Sequence, residues 1–287
     1  MPQAKIGVIG GSGLYDIEGL AEIQEVKIDT PFGKPSDTIT IGKLEGVGIA
    51  FLPRHGRGHR IMPTEVPTRA NIYALKSLGV ERIISVNAVG SLKKEIKPGD
   101  LIIPDQLIDR TRFRANSFFG EGIVANIPFA EPFCTILSQT LYQEARKAGA
   151  KIHRDGTYLV IEGPAFSTKA ESRLYRSWGA DLIGMTALPE AKLAREAEIC
   201  YAIIAGVTDY DSWQAESEPL DIRVILDTLR KNTETIKEII KLAVTRLPDE
   251  RNCGCATALK TAIVTAPELI PAEQKKKLSL LIGKYLK

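Results

Sequence analysis

The stretch KIGVIGGSGLYD, from Lys5 to Asp16, begins as a β-branched apolar run and ends as a glycine loop. This pattern is typical of the first strand of an α/β sheet, with a loop whose backbone N–H groups can hold an anion. The loop lacks the third glycine of a dinucleotide fingerprint and the Gly-Lys-Ser/Thr ending of a Walker loop. It therefore predicts an anion-binding turn, although an ordinary tight turn has the same pattern.

Outward from this stretch, apolar runs alternate with segments of helical periodicity. Further strands are predicted at GVGIAFL, RIISVNAV, DLIIPDQLI, GTYLVIEG, ADLIGM and ICYAIIAGVT. Helices are predicted over Thr68–Leu78, Pro132–Ala148, Thr168–Trp178, Ala187–Ala197 and Asp221–Arg246. Several short strands precede the first helix, so we expect an α/β fold of one domain, with a central mixed, partly parallel β-sheet flanked by helices.

Composition excludes some classes of protein. The chain has 287 residues, 44% of them apolar, which is enough for one substantial core. A net charge of +3 with 25% charged residues indicates neither a nucleic-acid nor a membrane partner. Because we find no signal peptide and no long apolar run, we expect a cytoplasmic protein.

The domain organisation follows from where the helical pattern lapses. We expect a catalytic domain over residues 1–247 and an appendage over 248–287 that is not an independent domain. The appendage ends in PAEQKKKLSLLIGKYLK, which could form a short basic amphipathic helix. We expect it to pack on the core of its own chain or on a sister subunit.

The most unusual segment is PRHGRGHRIMP, Pro53–Pro63, which holds three arginines and two histidines just after a predicted strand. Its glycines exclude a regular helix, so His55 and His59 cannot form an i, i+4 metal pair. Arg54 offers a planar fork to phosphate oxygens, and His55 can add a charge-assisted donor. The segment predicts a phosphate site, while its other two arginines fit a solvated turn equally well.

Three other strand ends carry small, aromatic or hydroxyl residues. SVNAVGSL places Asn87 and Ala88 where backbone amides could contact an anion. IEGPAFST presents Phe166 either as a platform for a flat ligand or as ordinary packing. GMTALPEAKLAREA puts Thr186 just before a predicted helix, where it fits both an N-cap and an anion ligand.

The segment VTDYDSW carries Asp209 and Asp211 directly after an apolar strand. If the extended geometry continues, alternate residues point the same way and both carboxylates lie on one side. A partly desolvated carboxylate has a raised pKa and can serve as a proton donor. An Asx turn or a helix cap fits the pattern equally well.

Seven segments in order resemble those of the 5′-methylthioadenosine phosphorylase family, in the trimeric branch of the purine nucleoside phosphorylase superfamily. The resemblance covers Lys5 to about Arg246. Its segments are GGSGLYD, PRHGRGHRIMP, NAVGSL, AEPFC, IEGPAFSTKAES, GMTALPEAKLAREAEICYA and VTDYDSW. It implies phosphorolysis of 5′-methylthioadenosine in purine and methionine salvage, with phosphate as co-substrate, no cofactor and no metal. It also implies a homo-oligomer, either a trimer or a dimer of trimers.

The resemblance implies a role for individual residues. The implied phosphate ligands are Ser12, Arg54, His55, Asn87, Ala88 and Thr186. The implied nucleoside contacts are Phe166, Ser167, Ile183, Met185, Thr208, Asp209, Asp211, Leu220 and Ile222. Within these sets, Leu220 and Ile222 correspond to the pocket for the 5′-alkylthio group, and Asp209 and Asp211 are the catalytic residues at the purine edge. Relatives often carry a small hydroxyl residue where this chain has Asn87.

Two other functions fit parts of the pattern. A phosphorylase for purine nucleosides (adenosine or inosine) or for methylthioinosine would share the fold, but Asp209 and Asp211 favour a 6-amino over a 6-oxo group because a carboxylate accepts its hydrogen bond. A non-catalytic dinucleotide-binding module would need the absent third glycine.

The four cysteines are Cys134, Cys200, Cys253 and Cys255. Disulfides are rare in the cytosol except in hyperthermophiles, and a Cys253–Cys255 bond would be near the limit of disulfide geometry. Similar CxC tails in thermophilic members of the family favour such a bond and a thermophilic source, with Cys134–Cys200 as a second bond. Four free thiols are the alternative, and a four-thiolate zinc site would require distant strands to converge on the tail.

Overall fold

A computed structural model describes residues 3–11, 13–14, 16–214 and 222–286, with only the backbone of Ile222. The strands are β1 (Ile6–Gly10), β2 (Ala21–Val26), β3 (Ile39–Leu44), β4 (Val47–Pro53), β5 (Arg82–Ser91), β6 (Leu101–Ile103), β7 (Gln106–Arg110), β8 (Ile152–Arg154), β9 (Thr157–Ile161), β10 (Leu182–Gly184) and β11 (Cys200–Asp209). The helices are α1 (Thr68–Ser77), α2 (Thr135–Lys147), α3 (Lys169–Ser177), α4 (Glu190–Glu196), α5 (Ile222–Val244), α6 (Ala272–Lys277) and α7 (Ser279–Ile282). Short 3₁₀ turns join some of them.

The strands form one mixed sheet with β5 at its centre. Strand β5 pairs in parallel with β1 and β11, and its end pairs antiparallel with β10. One path through the sheet runs β2-β3-β4-β1-β5-β10-β9-β7, while β11, β6 and β8 continue from the other edge of β5. Strands β2, β3 and β4 are antiparallel neighbours and precede α1. The predicted mixed, partly parallel sheet is therefore confirmed.

Side chains of β11 alternate between two buried clusters, as the period of a strand requires. Tyr201 and Ile203 join the cluster beneath α1 and α4, while Ala202 and Ile204 join the cluster beneath α2 and α5. A strand that is buried on both faces reads as a continuous apolar run. This is why the sequence of β11 shows no polar alternation.

The predicted single strand DLIIPDQLI is wrong. The structure divides it into β6 and β7, which pair with different partners: β6 with β11 and β8, and β7 with β9. Pro104 lies between them and cannot donate a ladder hydrogen bond, so the chain leaves one part of the sheet there and joins another.

The segment 248–286 packs on the rest of the chain. Leu259, Ile270, Leu278 and Ile282 lie in the same buried cluster as Leu75 of α1. The predicted amphipathic helix consists of two short helices, α6 and α7. Among the helices described, none is both long and apolar enough to cross a bilayer.

Candidate active site

A cavity of about 1010 Å³ opens where the carboxyl ends of β1, β4, β10 and β11 approach β5. Open α/β sheets bind their ligands at such edges. Ala88 is exposed within an otherwise buried β5, so the strand opens to the cavity there. Ten residues predicted from the sequence line the cavity: Arg54, His55, Ala88, Phe166, Ile183, Met185, Thr186, Thr208, Asp209 and Asp211.

The glycine loop after β1 forms one wall of this cavity, through Gly11, Gly13 and Leu14. Gly13 has a φ of 107°, a conformation that a residue with a Cβ rarely adopts. The predicted phosphate ligand Ser12 lies outside the described residues. The described part of the loop therefore lies where the sequence predicted.

Arg54 is 3% exposed and is held by a carboxylate that the sequence reading missed. Its Nε donates to Glu190, which is 1% exposed, and its Nη2 donates to Glu190 Oε2 at 3.1 Å and to Ser85 Oγ at 2.7 Å. Burial opposes the charge of Arg54, but Glu190 outweighs it and raises the pKa of the guanidinium. Nη1 donates to the Val86 carbonyl at 2.9 Å, so among the described contacts one N–H of Nη1 is left for a ligand.

His55 is neutral near pH 7, which corrects the predicted charge-assisted donor. Burial, reinforced by the charge of Arg54, lowers the pKa of His55 to about 4. Its Nδ1 lies 2.8 Å from the Ile61 carbonyl, which can only accept, so Nδ1 carries the proton. Nε2 is then an acceptor. Since Arg54 is neutralised by Glu190, hydrogen bonds rather than excess positive charge define this part of the cavity.

Thr186 is joined to Asn87 across the sheet, since Asn87 Nδ2 donates to Thr186 Oγ1 at 2.6 Å. Asn87 is 2% exposed and also accepts from Ser85 Oγ at 2.9 Å. The cavity lining includes Thr186 but not Asn87. Asn87 therefore orients the Thr186 side chain without lining the cavity itself. The interpretation of Thr186 as an N-cap is wrong, because α4 begins later, after Pro189.

Arg114, which no sequence motif indicated, fixes the loop that carries Met185 and Thr186. Its Nη1 donates to the carbonyls of Met185 and Leu188, each at 2.6 Å. Its Nε pairs with Glu162 at 3.0 Å, and its side chain is 4% exposed. A buried arginine that donates to several carbonyls holds an irregular backbone in one conformation.

Asp209 and Asp211 lie together, although the extended geometry predicted for them does not continue. Strand β11 ends at Asp209 after a bulge at Thr208, and Asp211 starts a 3₁₀ turn with a φ of 39°. Asp209 Oδ1 accepts from the Asp211 N–H at 2.8 Å, and Oδ2 accepts from Thr208 Oγ1 at 2.8 Å. Burial raises the pKa of both carboxyl groups. The Asx turn and the buried acid pair are therefore both present.

An apolar and aromatic wall adjoins the acid pair. Phe166 is 50% exposed, and with Ile183 and Met185 it lines the cavity. A half-exposed aromatic ring at the edge of a cavity can stack on a flat ligand. Ser167 is buried outside the lining, and its carbonyl accepts from Ser212 Oγ at 2.5 Å.

Helix α5 closes the cavity with apolar side chains that the sequence reading missed, namely Ile225, Leu226 and Leu229. Leu226 is 46% exposed, so this aliphatic side chain is accessible from the cavity that it lines. The predicted contacts Leu220 and the side chain of Ile222 lie outside the described residues. The apolar period of the helix was the signal that could have extended the prediction to these positions.

Comparisons with known proteins identify relatives of this chain. Residues 5–245 match the phosphorylase superfamily. The chain is 58% identical to the S-methyl-5′-thioadenosine phosphorylase of Geobacter sulfurreducens, over 98% of this chain and 99% of that protein.

Solved structures of related proteins have the same fold. A methylthioadenosine phosphorylase from an antarctic soil metagenomic library superimposes with a TM-score of 0.94 at 48% identity, covering 98% of this chain and 99% of that one. The methylthioadenosine phosphorylase of Schistosoma mansoni, in complex with adenine, gives a TM-score of 0.81 at 38% identity, covering 90% of this chain and 96% of that one. The chain thus belongs to the phosphorylase superfamily and, within it, to the S-methyl-5′-thioadenosine phosphorylase family.

Proposed function

We propose that this chain catalyses the phosphorolysis of 5′-methylthioadenosine to adenine and 5-methylthio-α-D-ribose 1-phosphate. Relatives that are named for this activity align with the chain over nearly their whole length. The observation that carries the proposal is one cavity that holds the Arg54–His55–Thr186 group and the buried acids Asp209 and Asp211. In phosphorolysis, phosphate displaces the base. The reaction therefore requires a site for phosphate and a proton donor for the base in one cavity.

Phosphate binds at the Arg54 end of the cavity in this proposal. It accepts hydrogen bonds from the remaining Nη1–H of Arg54, from the Thr186 hydroxyl and from backbone N–H groups near Ala88. Neutral His55 accepts, through Nε2, the hydrogen of the P–OH group of the dianion. Asn87 acts through Thr186. Ser12, on the glycine loop, completes the set of predicted ligands.

The nucleoside lies across the cavity from the phosphate. A phosphate oxygen attacks the anomeric carbon opposite the base, so the C–O bond forms as the C–N bond breaks, with inversion. The electron pair of the C–N bond passes to adenine, and Asp209 donates a proton or a strong hydrogen bond to N7. Its raised pKa favours the protonated form that this step needs. The reaction uses no group besides the nucleoside and phosphate, so we infer no cofactor for it.

Both ends of the substrate match the lining. We assign the base to the wall formed by Phe166, Ile183 and Met185, with its 6-amino group toward the acids. A 6-oxo group would meet the hydrogen-bond-accepting oxygens of Asp209 and Asp211 acceptor to acceptor, and such a buried mismatch can discriminate by about 10⁴-fold. The apolar face of α5, with Leu226 and Leu229, suits the 5′-methylthio group.

A phosphate-dependence assay tests the proposal. The protein is incubated with methylthioadenosine in the presence and absence of phosphate, and free adenine is measured. We expect adenine only with phosphate, together with a pentose 1-phosphate. Adenine released equally without phosphate would indicate a hydrolase, and a preference for methylthioinosine or inosine would indicate a 6-oxopurine phosphorylase.

Gly90 allows a prediction about how closely Asp209 is positioned. A Cβ on Gly90 would lie 2.9 Å from Asp209 Oδ1 and 3.1 Å from Ile183 Cγ2, so the carboxylate must shift. We expect Gly90→Ala to lower kcat/KM for methylthioadenosine by about 10- to 100-fold, because displacing a catalytic group by about 1 Å has that effect. Gly283→Ala, whose new Cβ meets nothing within 4 Å, is the matched control. An unchanged kcat/KM in Gly90→Ala would contradict this positioning of Asp209.

The oligomeric state, cellular location, metabolic role and source of the enzyme are predictions. We propose a homo-oligomer, a trimer or a dimer of trimers, and the exposed side chains of Phe113 (86%) and Leu269 (71%) support burial against a sister subunit. A cytoplasmic location, a role in purine and methionine salvage and a thermophilic source are predictions from the sequence and its resemblance.

A further inference from the structure

The fold brings all four cysteines of the chain to one point. Cys134 immediately precedes α2, and Cys200 is the first residue of β11. Cys253 and Cys255 belong to the segment after α5. Their four Sγ atoms lie within 4.8 Å of one another. The distant strand and the tail therefore converge, as a four-thiolate site requires.

The spacing of the sulfurs suits a tetrahedral metal ion. Cys253 Sγ lies 3.4 Å from Cys200 Sγ and 3.8 Å from Cys134 Sγ. Four thiolates around Zn²⁺, with Zn–S bonds of about 2.3 Å, place their sulfurs about 3.8 Å apart. One sulfur at similar non-bonded distances from two others is compatible with a shared central ion.

The surroundings of the four sulfurs also fit a closed metal site. Cys134, Cys200 and Cys255 are at most 5% exposed. Aliphatic side chains, including those of Leu137 and Leu247, line the small cavity beside three of the cysteines, and only Cys253 of the four is partly exposed.

Two cations adjoin the cluster. Arg82 and Arg251 line the same small cavity as Cys134, Cys200 and Cys253. Four thiolates with one divalent ion carry a net charge of −2, and these two guanidinium groups, which also face Glu81 at 3.6 and 3.8 Å, offset part of it. Arg82 also donates to the carbonyls of Pro248 and Glu250, so it holds the loop that leads to Cys253.

We propose that Cys134, Cys200, Cys253 and Cys255 bind one Zn²⁺ as a structural site that fastens the segment 248–287 to the sheet. This proposal departs from the expectation of no metal, and it concerns a site remote from the chemistry. Cys200 and Asp209 stand at opposite ends of β11, about 30 Å apart at roughly 3.3 Å per residue. All four ligand positions are protein thiolates, so the ion has no open position for a substrate.

The test is metal binding by the full-length protein after reduction and removal of metal. Titration with Zn²⁺ alone should saturate at one ion per chain and raise the midpoint of thermal unfolding. Titration with Co²⁺ should give thiolate-to-cobalt charge-transfer absorption and the strong visible bands of a tetrahedral site. We expect Cys253→Ser to weaken Zn²⁺ binding by about 100-fold or more, since one of four thiolates is lost.

Matched variants separate metal binding from disulfide formation. Cys253→His supplies another zinc ligand and should retain one Zn²⁺ per chain, although it cannot form a disulfide. Ser138→Ala, on α2 and without a thiol change, is the control for general effects of substitution near the cluster. Cys253 is partly exposed, so its variants are expected to fold, and circular dichroism checks this.

Failure of the reduced wild-type protein to bind Zn²⁺ or Co²⁺ would overturn the proposal, whether its thiols are free or were isolated as disulfides. Equal loss of binding in Cys253→Ser and a folded Cys253→His would also count against it. One Zn²⁺ per chain that Cys253→His retains and Cys253→Ser loses would support it.

Discussion

Replacing Asp209 with asparagine is expected to lower kcat/KM for methylthioadenosine by about 10²- to 10⁴-fold, the usual contribution of a positioned proton donor. Asn keeps the shape of the side chain and can still accept from Thr208 or from the Asp211 N–H. It cannot transfer a proton to the departing adenine. The loss should appear mainly in kcat, because protonation matters as the C–N bond breaks.

The same variant should change the choice of base. The new amide can donate to a 6-oxo group, so we expect the ratio of methylthioinosine to methylthioadenosine activity to rise at least about tenfold. Steady-state assays at saturating phosphate with both nucleosides measure this ratio. Asp155→Asn is the matched control, since Asp155 is exposed and has a φ of 63°, which Asn tolerates. An unchanged ratio in Asp209→Asn would exclude Asp209 from the purine edge.

Replacing Arg54 with methionine should affect both stability and phosphate use. The substitution leaves the carboxylate of Glu190, which is 1% exposed, without its cation, and breaking a buried pair in this way costs about 3–5 kcal/mol in free energy of unfolding. It also removes the N–H that faces the cavity, so we expect phosphorolysis to fall below detection at ordinary phosphate concentrations. Chemical denaturation and assays over a wide phosphate range measure the two effects.

A double variant separates these two effects. In Arg54→Met/Glu190→Gln the buried charge is gone, and the amide oxygen of Gln can still accept from Ser85 or Tyr201. We expect most of the lost stability to return, while phosphorolysis stays absent. Arg60→Met, in the same loop but with a side chain 68% exposed, is the control and should change stability by less than about 1 kcal/mol. A wild-type KM for phosphate in Arg54→Met would contradict the assignment of Arg54 as a ligand.

The sequence predicted the site residues whose position follows from the sheet topology. It missed those whose role depends on one contact with a distant residue. Arg54, Thr186 and Asp209 were found because they stand at strand ends, where the topology of a parallel sheet collects side chains whatever their sequence separation. Glu190 and Arg114 were missed because their role lies in one contact made across the fold. In the sequence they read as ordinary charged residues of a helix and a loop.

The sequence also could not predict the protonation and the ion pairing of the charged side chains at the site. The pattern RHGRGH indicated a cationic cradle, yet burial and Glu190 leave His55 neutral and Arg54 paired. Desolvation and pair distances decide charge, and neither can be read from spacing along the chain. The strand DLIIPDQLI illustrates the same limit, since apolar character predicted a strand but pairing partners divided it at Pro104.

By itself, the sequence determined the class of fold, the edge of the sheet at which the cavity opens, and the family. Apolar periodicity and strand-end motifs are local properties, and they persist in whatever structure buries the apolar runs. Only the tertiary structure decided that Gly11, Gly13 and Leu14 line one cavity with Arg54, and that Cys134 and Cys200 meet Cys253 and Cys255. Both depend on segments far apart in the chain, and their distances are set by the packing of the complete sheet.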